Sequence, residues 1–146
     1  MKFVKRYFNL HTFKYSNLEQ SIMLVLTAPV IYSMIIPAII LDLFIYIYQN
    51  ICFPVYGIEK VDRSHYIAFD RHKLSYLNSI QKINCTYCSY FNGLIAYVRE
   101  VASRTEKYWC PIKHSIRKKG LHKRHKEFFE YGDESFVNDK RNNVGG

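Results

Sequence analysis

A chain of 146 residues is long enough for one modest domain, and about thirty of its residues belong to a single apolar run. With 21 Lys and Arg against 12 acids, the net charge at pH 7 is +9, and both flanks of the apolar run are basic. These figures exclude a large soluble domain, because little chain remains once the apolar run is set aside. The polar part that follows the run is therefore expected to be small.

The first twenty residues, 1–20, form a basic and aromatic flank. They carry four Lys or Arg residues, and no acid occurs before Glu19. Five Phe or Tyr residues lie among them, and Tyr and Trp are enriched at the level of lipid headgroups. We therefore predict that residues 1–20 lie at a membrane surface.

An apolar run follows, and Asp42 is its only charged residue between positions 22 and 51. An apolar run of more than about 18 residues is typical of a membrane element. A cleaved signal peptide is a poor alternative, because the run is much longer than a signal h-region and no small-residue cleavage site follows it. The sequence therefore predicts a membrane segment over residues 21–51.

Two topologies of this segment stay open. Thirty helical residues would extend about 45 Å, whereas the hydrocarbon core is about 30 Å thick. Pro29 and Pro37 can bend or break the helix, and Asp42 is costly in lipid unless it is paired or lies near an interface. The segment is either a kinked single span or a re-entrant wedge. Only the wedge leaves both basic flanks in the cytoplasm, as the positive-inside tendency prefers.

The polar part is predicted to be helical. Residues 52–69 contain Pro54 and Gly57 and are expected to form an interfacial connector. Apolar residues three apart indicate a short helix over 71–83 with Asp70 as its N-cap, and a second periodic stretch covers 93–108.

Asn92-Gly93 is a turn signal between these two helices, so a helical hairpin within residues 70–111 is favoured over one long helix. The predicted fold class is all-α: a kinked or re-entrant N-terminal membrane helix, a small helical hairpin domain and a basic tail.

Cysteine and histidine residues in this region have ligand chemistry suited to zinc. The order is C-x2-C, a long spacer and C-x3-H, and thiolates with imidazole suit tetrahedral zinc. The first candidate ligand set is Cys85, Cys88, Cys110 and His114. If residues 89–109 form one helix, the two halves of this set lie about 30 Å apart and cannot share a metal ion.

A hairpin favours a different ligand set at its open end. That set is Asp70, His72, Cys110 and His114, with Cys85 and Cys88 at the closed end as packed thiols or a redox pair. No cofactor is firmly indicated, and zinc is the one that these residue types suggest.

The C-terminal part, residues 112–146, begins with a strongly basic run. Residues 112–126 hold seven Lys or Arg, three His and no acid. A run of this kind repels itself and is typical of a solvated or interaction segment. We predict that it binds anionic lipid headgroups or an acidic membrane-protein partner, and that nucleic acid is not its ligand. The candidate binding residues are Lys113, Arg117, Lys118, Lys119, Lys123, Arg124 and Lys126.

Several phrases of the chain resemble an uncharacterised family of small bacterial inner-membrane proteins. They are CFPVYGI, YIAFDRHKLSYLN, NCTYCSYFNGLIAYVREVASRTEKYWCPIKH and FFEYGD, within about residues 51–132. The resemblance implies a protein of the bacterial inner membrane. It carries over no catalytic residue, cofactor or partner.

Two functions are compatible with these features. The leading hypothesis is a non-enzymatic, membrane-attached accessory or adaptor protein whose basic tail, more easily placed in the cytoplasm, meets anionic headgroups or an acidic partner. The alternative is a zinc-binding, membrane-associated protein or enzyme that acts on a lipid-borne substrate. Convergence of Asp70, His72, Cys110 and His114 would favour the alternative.

Overall fold

The computed structural model describes residues 17–116 and 119–138. Within these residues the chain forms three long helices and no strand, which confirms the all-α class. Most of the predicted N-terminal flank, together with Arg117, Lys118 and residues 139–146, lies outside the described residues. The helices are α1 (Asn17–Ser33), α2 (Ile35–Tyr56) and α3 (Ser79–Trp109), and short 3₁₀ turns cover Arg63–His65, Arg71–Lys73 and Lys123–Glu127.

The apolar run breaks at Met34, between α1 and α2. Pro37 has no N–H to donate to the carbonyl of Ser33, and its ring crowds that same carbonyl. The Met34 amide instead bonds to the carbonyl of Ile31 at 3.3 Å, one residue closer than in an α-helix. Pro29, by contrast, lies inside α1 without ending it. The predicted interruption near the prolines is therefore confirmed, and it occurs at Met34, three residues before Pro37.

The helical stretch continues past the predicted end of the membrane segment. Ile22–Tyr56, 35 residues, is long and apolar enough to cross a membrane by length and composition. Pro54 was expected to lie in the connector, but α2 includes it and ends two residues later. Gly57 ends the helix with φ +65°, while the Ile58 amide bonds to the Phe53 carbonyl at 2.9 Å. This Schellman arrangement supplies the helix stop.

The chain divides into two compact units, Met1–Pro37 and Ala38–Gly146. In the second unit, α2 and α3 run in the same direction. Near one end, the Tyr90 hydroxyl of α3 donates to Asp42 Oδ2 of α2 at 3.0 Å. Near the other end, the rings of Tyr56 and Tyr108 stack with centroids 5.2 Å apart. Because the two helices are parallel, the chain between them has to run back along their length.

The segment between α2 and α3 is residues 57–78 rather than the predicted connector 52–69, and this observed connector makes that return. The Arg104 guanidinium of α3 donates to the carbonyl of Glu59 at 2.6 Å, and the Val61 amide donates to Gln49 Oε1 of α2 at 3.0 Å. Arg63 then reaches back to Asp42. The connector thus runs from the Tyr56 end of the helix pair towards the Asp42 end.

The core of this unit lies where α2, α3 and the connector meet. Phe53, Leu94 and Val101 are fully buried, and Tyr97 is 1% exposed. Val61 and Ile67 of the connector complete the same cluster. Burying side chains of this size stabilises the fold by about 1.5–3 kcal/mol each. The connector is therefore part of the core rather than a surface link.

The predicted helical hairpin is wrong, because α3 continues from Ser79 through Asn92 and Gly93 to Trp109. Gly93 is buried, and a Cβ at this position would lie 2.5 Å from the Tyr66 carbonyl oxygen. The glycine thus lets the connector cross the helix closely and marks no turn.

The predicted N-cap was also wrong. Asp70 precedes a 3₁₀ turn and makes no side-chain cap bond. Asn78 caps α3 instead: its side chain accepts from the Gln81 amide at 2.8 Å, while Gln81 Oε1 accepts from the Asn78 amide at 3.0 Å. This reciprocal capping box fixes the start of the helix.

Replacing Gly93 with Ala tests the close crossing. Gly→Ala inside a helix ordinarily stabilises by about 0.5–1 kcal/mol, but here the new methyl group meets backbone. We expect Gly93→Ala to destabilise the unit by about 1–3 kcal/mol, the usual cost of overpacking. The measurement is thermal unfolding in neutral detergent. Asn92→Ala, exposed on the same turn, is the control; equal midpoints for both variants would contradict the crossing.

Candidate functional site

The two halves of the first candidate zinc site lie far apart. Cys85 belongs to the first third of α3, and Cys110 is the C-cap of the same helix. Twenty-five residues of helix separate them by about 38 Å. Cys85 and Cys88 therefore cannot share a metal ion with Cys110 and His114 of the same chain.

The second ligand set is also divided, because the hairpin that would have gathered it does not form. Asp70 lines an open pocket of about 450 Å³ beside Cys88, and His72 lies exposed in the adjacent 3₁₀ turn. Cys110 and His114 line a separate pocket of about 290 Å³. Asp70 and His72 thus lie near the middle of α3, whereas Cys110 and His114 lie at its end.

In the described parts of the chain, no three His, Cys, Asp or Glu residues are grouped to hold a metal ion. Zinc binding stays a sequence prediction for which this conformation supplies no assembled ligand set.

The basic run has a defined position, because part of it docks on α3. Arg124 donates from Nη2 to Glu100 Oε1 at 2.6 Å and from Nη1 to Glu100 Oε2 at 2.8 Å. Its Nη1 also lies 2.8 Å from the Ser103 hydroxyl, and Ser103 is 2% exposed. A bidentate Arg–carboxylate pair adds geometric specificity as well as energy.

Three further contacts hold the same segment. His122 Nε2 lies 2.8 Å from Glu106 Oε2. The Lys107 amine lies 3.0 Å from Glu127 Oε2. The Arg99 guanidinium donates to two consecutive backbone carbonyls, Gly120 at 2.9 Å and Leu121 at 2.6 Å. The charged side chains of α3 are therefore the docking surface for residues 120–127.

This docking divides the seven predicted binding cations. Arg124 is committed to Glu100, and Lys113 pairs with Glu130. Arg117 and Lys118 lie outside the described residues. The three that lie exposed are Lys119, Lys123 and Lys126. Repulsion among the cations of the run is reduced, because the acids of α3 and of residues 127–130 neutralise part of its charge.

A cleft of about 630 Å³ opens between α3 and residues 122–127. Its lining is Tyr66, Ala96, Arg99, Glu100, His122, Lys123, Arg124, Lys126 and Glu127. The sequence had indicated three of its four Lys and Arg residues. It did not indicate Arg99 or His122, whose positions depend on how the segment folds back onto α3.

The cleft and α2 lie on nearly opposite sides of α3. Successive residues turn by about 100° around a helix, so the core positions Leu94, Tyr97 and Val101 share one side. Arg99, Ser103 and Glu106 centre on the far side. The α2 helix meets the first group and residues 120–127 meet the second. The second unit is therefore layered, with α3 in the middle.

The outer side of α2 is apolar and exposed. Its inner side carries the buried Gln49 and Phe53 and the paired Asp42. Its outer side has no charged residue over more than four turns from Ile40 to Val55. The exposed outer residues are Ile40, Leu43, Phe44, Ile47, Ile51 and Val55. A contiguous apolar face of this length marks contact with lipid or another protein.

Among the acids of the site, Glu100 has the pKa that is shifted furthest from its usual value. Hydrogen bonds from Arg124, and then from Arg104, lower the pKa of the Glu100 carboxyl from 4.5 to about 2. The bond to Glu100 in turn raises the pKa of Arg124. Both groups are therefore charged at neutral pH.

Searches of protein-family models, curated proteins and solved structures find no match to this chain. The resemblance to small bacterial inner-membrane proteins accordingly stays a prediction.

Acid should weaken the docking of the basic segment. Because the pKa of Glu100 is lower in the folded protein than in the unfolded chain, its stabilisation is complete above about pH 4.5 and is lost as pH falls towards 2. We expect Glu100→Gln to cost about 3 kcal/mol at pH 7 and to remove this part of the acid dependence.

Urea unfolding in neutral detergent at pH 7 and pH 3 measures both effects. Glu59→Gln is the matched control, since the Glu59 carboxylate also contacts Arg104 but is 89% exposed. An exposed pair contributes at most about 1 kcal/mol. Equal losses in the two variants would contradict the assigned role of Glu100.

Proposed function

We propose that this chain is a non-enzymatic, membrane-attached accessory protein that lies along a leaflet through α2 and presents a basic surface to an acidic partner on the aqueous side. The observation that carries the proposal is the layered second unit. An apolar face of α2 and a cation-lined cleft occur on opposite sides of α3.

Lipid is the occupant that best fits the outer face of α2. This face continues the apolar stretch that begins at Ile22 and is long and apolar enough to cross a membrane. Charged side chains on α3, among them Arg99, Arg104 and Lys107, keep that helix out of hydrocarbon. Only the outer side of α2 is then available to the acyl chains, and the unit lies on the membrane surface.

The position of the cleft favours an acidic partner over headgroups. With α2 in the interface, residues 122–127 lie about two helix diameters, roughly 20 Å, from the lipid. The Debye length is about 8 Å at physiological ionic strength, and attraction to anionic lipids falls off over that distance. Lys123 and Lys126 are therefore better placed to meet an acidic molecule that approaches from the aqueous side.

The proposed compartment is the cytoplasmic side of the bacterial inner membrane. Both flanks of the apolar run are basic, and cytoplasmic loops carry an excess of Lys and Arg. The family resemblance supplies the choice of a bacterial inner membrane.

Quenching of tryptophan by lipids with brominated acyl chains tests the orientation. Trp109 is the only tryptophan, so Trp109→Phe gives a silent background for single additions. We expect Ile51→Trp, on the outer face of α2, to be strongly quenched, because its indole would lie among acyl chains. Leu121→Trp, on the docked segment, is the matched probe and is expected to stay unquenched. Quenching of the Leu121→Trp variant, or none of the Ile51→Trp variant, would contradict the proposed orientation.

A further inference from the structure

We propose that the cleft between α3 and residues 122–127 is a binding site for a phosphate-bearing anion. Its volume of about 630 Å³ lies within the range of pockets that hold small ligands, about 300–1,000 Å³. Four Lys or Arg residues line it, against two acids. The site would use the cations that form no ion pair when residues 120–127 dock on α3.

Both acids of the cleft are already neutralised. Glu100 accepts from Arg104 as well as from Arg124. Glu127 pairs with Lys107, whose bond lowers the pKa of the Glu127 carboxyl. Arg104 and Lys107 lie outside the lining, so the cleft keeps a surplus of positive charge.

Lys123 and Lys126 supply that surplus. Both are exposed, and neither has a carboxylate within ion-pair distance in residues 17–116 and 119–138, although the charge of Lys126 contributes to lowering the pKa of Glu127. They lie three residues apart in the 3₁₀ turn Lys123–Glu127, and residues three apart share one side of such a turn. Two ammonium groups are thus placed to reach one anion.

Arg99 adds a directed donor to the lining, which also includes His122. The carbonyls of Gly120 and Leu121 fix the Arg99 guanidinium, a planar group that suits the oxygens of phosphate. His122 Nε2 contacts Glu106, while its Nδ1 is buried without a hydrogen-bond partner among the described residues. A buried atom has no contact with the open cleft, so the His122 ring lines the cleft without donating to it, and Arg99 supplies the directed donor.

Phosphate fits this donor set better than a carboxylate does. A phosphate monoester carries up to two negative charges and three acceptor oxygens, which can engage two ammonium groups and one guanidinium together. The phosphate can belong to a soluble phosphorylated molecule or to a lipid headgroup. We favour the soluble source because of the proposed orientation of the unit. The phosphate site itself does not depend on that orientation.

Calorimetric titration of the full chain in neutral detergent with pyrophosphate tests the site. The Lys123→Gln, Lys126→Gln double variant removes the uncompensated cations and leaves the ion pairs of the segment in place. We expect its affinity to fall at least about tenfold, since each lost hydrogen bond between charged groups weakens binding by about tenfold or more. Lys119→Gln is the matched control: an exposed cation of the same run that does not line the cleft.

Loss of pyrophosphate binding in the double variant with wild-type binding in Lys119→Gln supports the site. No pyrophosphate binding by the wild type, full binding by the double variant, or equal weakening by Lys119→Gln overturns it. Unchanged thermal unfolding of each variant shows that folding is intact.

Phosphatidylcholine vesicles with and without phosphatidylglycerol identify the source of the phosphate. We expect the wild type and the double variant to bind both kinds of vesicle alike. If the wild type prefers anionic vesicles and the double variant does not, the headgroup is the ligand. That result would support the phosphate site and contradict the proposed orientation.

Discussion

A single carboxylate in an apolar helix, Asp42, determines how the second unit is arranged. Leaving a charge unpaired in an apolar setting costs several kcal/mol. Arg63 donates to both carboxylate oxygens, at 3.1 and 2.6 Å, and the Tyr90 hydroxyl adds a third bond. Arg63 belongs to the connector and Tyr90 to α3. Pairing this one charge therefore draws the connector back along α2 and brings the first half of α3 beside it.

The returning connector then explains the parallel direction of α2 and α3. Because residues 57–78 run back towards Asp42, α3 has to begin at that end. The second half of α3 then lies beside the chain that follows Trp109. There Glu100 pairs with Arg124 and Glu106 contacts His122. The basic segment is thus held on the side of α3 that α2 does not cover. The separation of an apolar face from a basic cleft follows from chain direction and from the position of the acids.

Local chemistry made part of this arrangement predictable. The apolar run, its interruption near Pro37 and the need of Asp42 for a partner could all be inferred from the sequence, because each depends on neighbouring residues or on one unfavourable charge. Asn78 and Gln81 also carry the signature of a capping box and could have located the start of α3. Gly93 was misleading, since a turn and a close helix crossing both require a residue without Cβ. Only the tertiary position of Tyr66 distinguishes the two.

The candidate site was least accessible from sequence, because it depends on which charges cancel. Seven cations in residues 112–126 look equivalent when only their spacing is considered. In the folded unit, Glu100 is partly buried and pairs with Arg104 and Arg124, so these charges hold the segment on α3. Lys123 and Lys126 face the cleft without such a partner among the described residues. The same segment therefore uses some cations to dock and keeps others to bind, and this division makes a ligand site possible without unfolding the segment from α3.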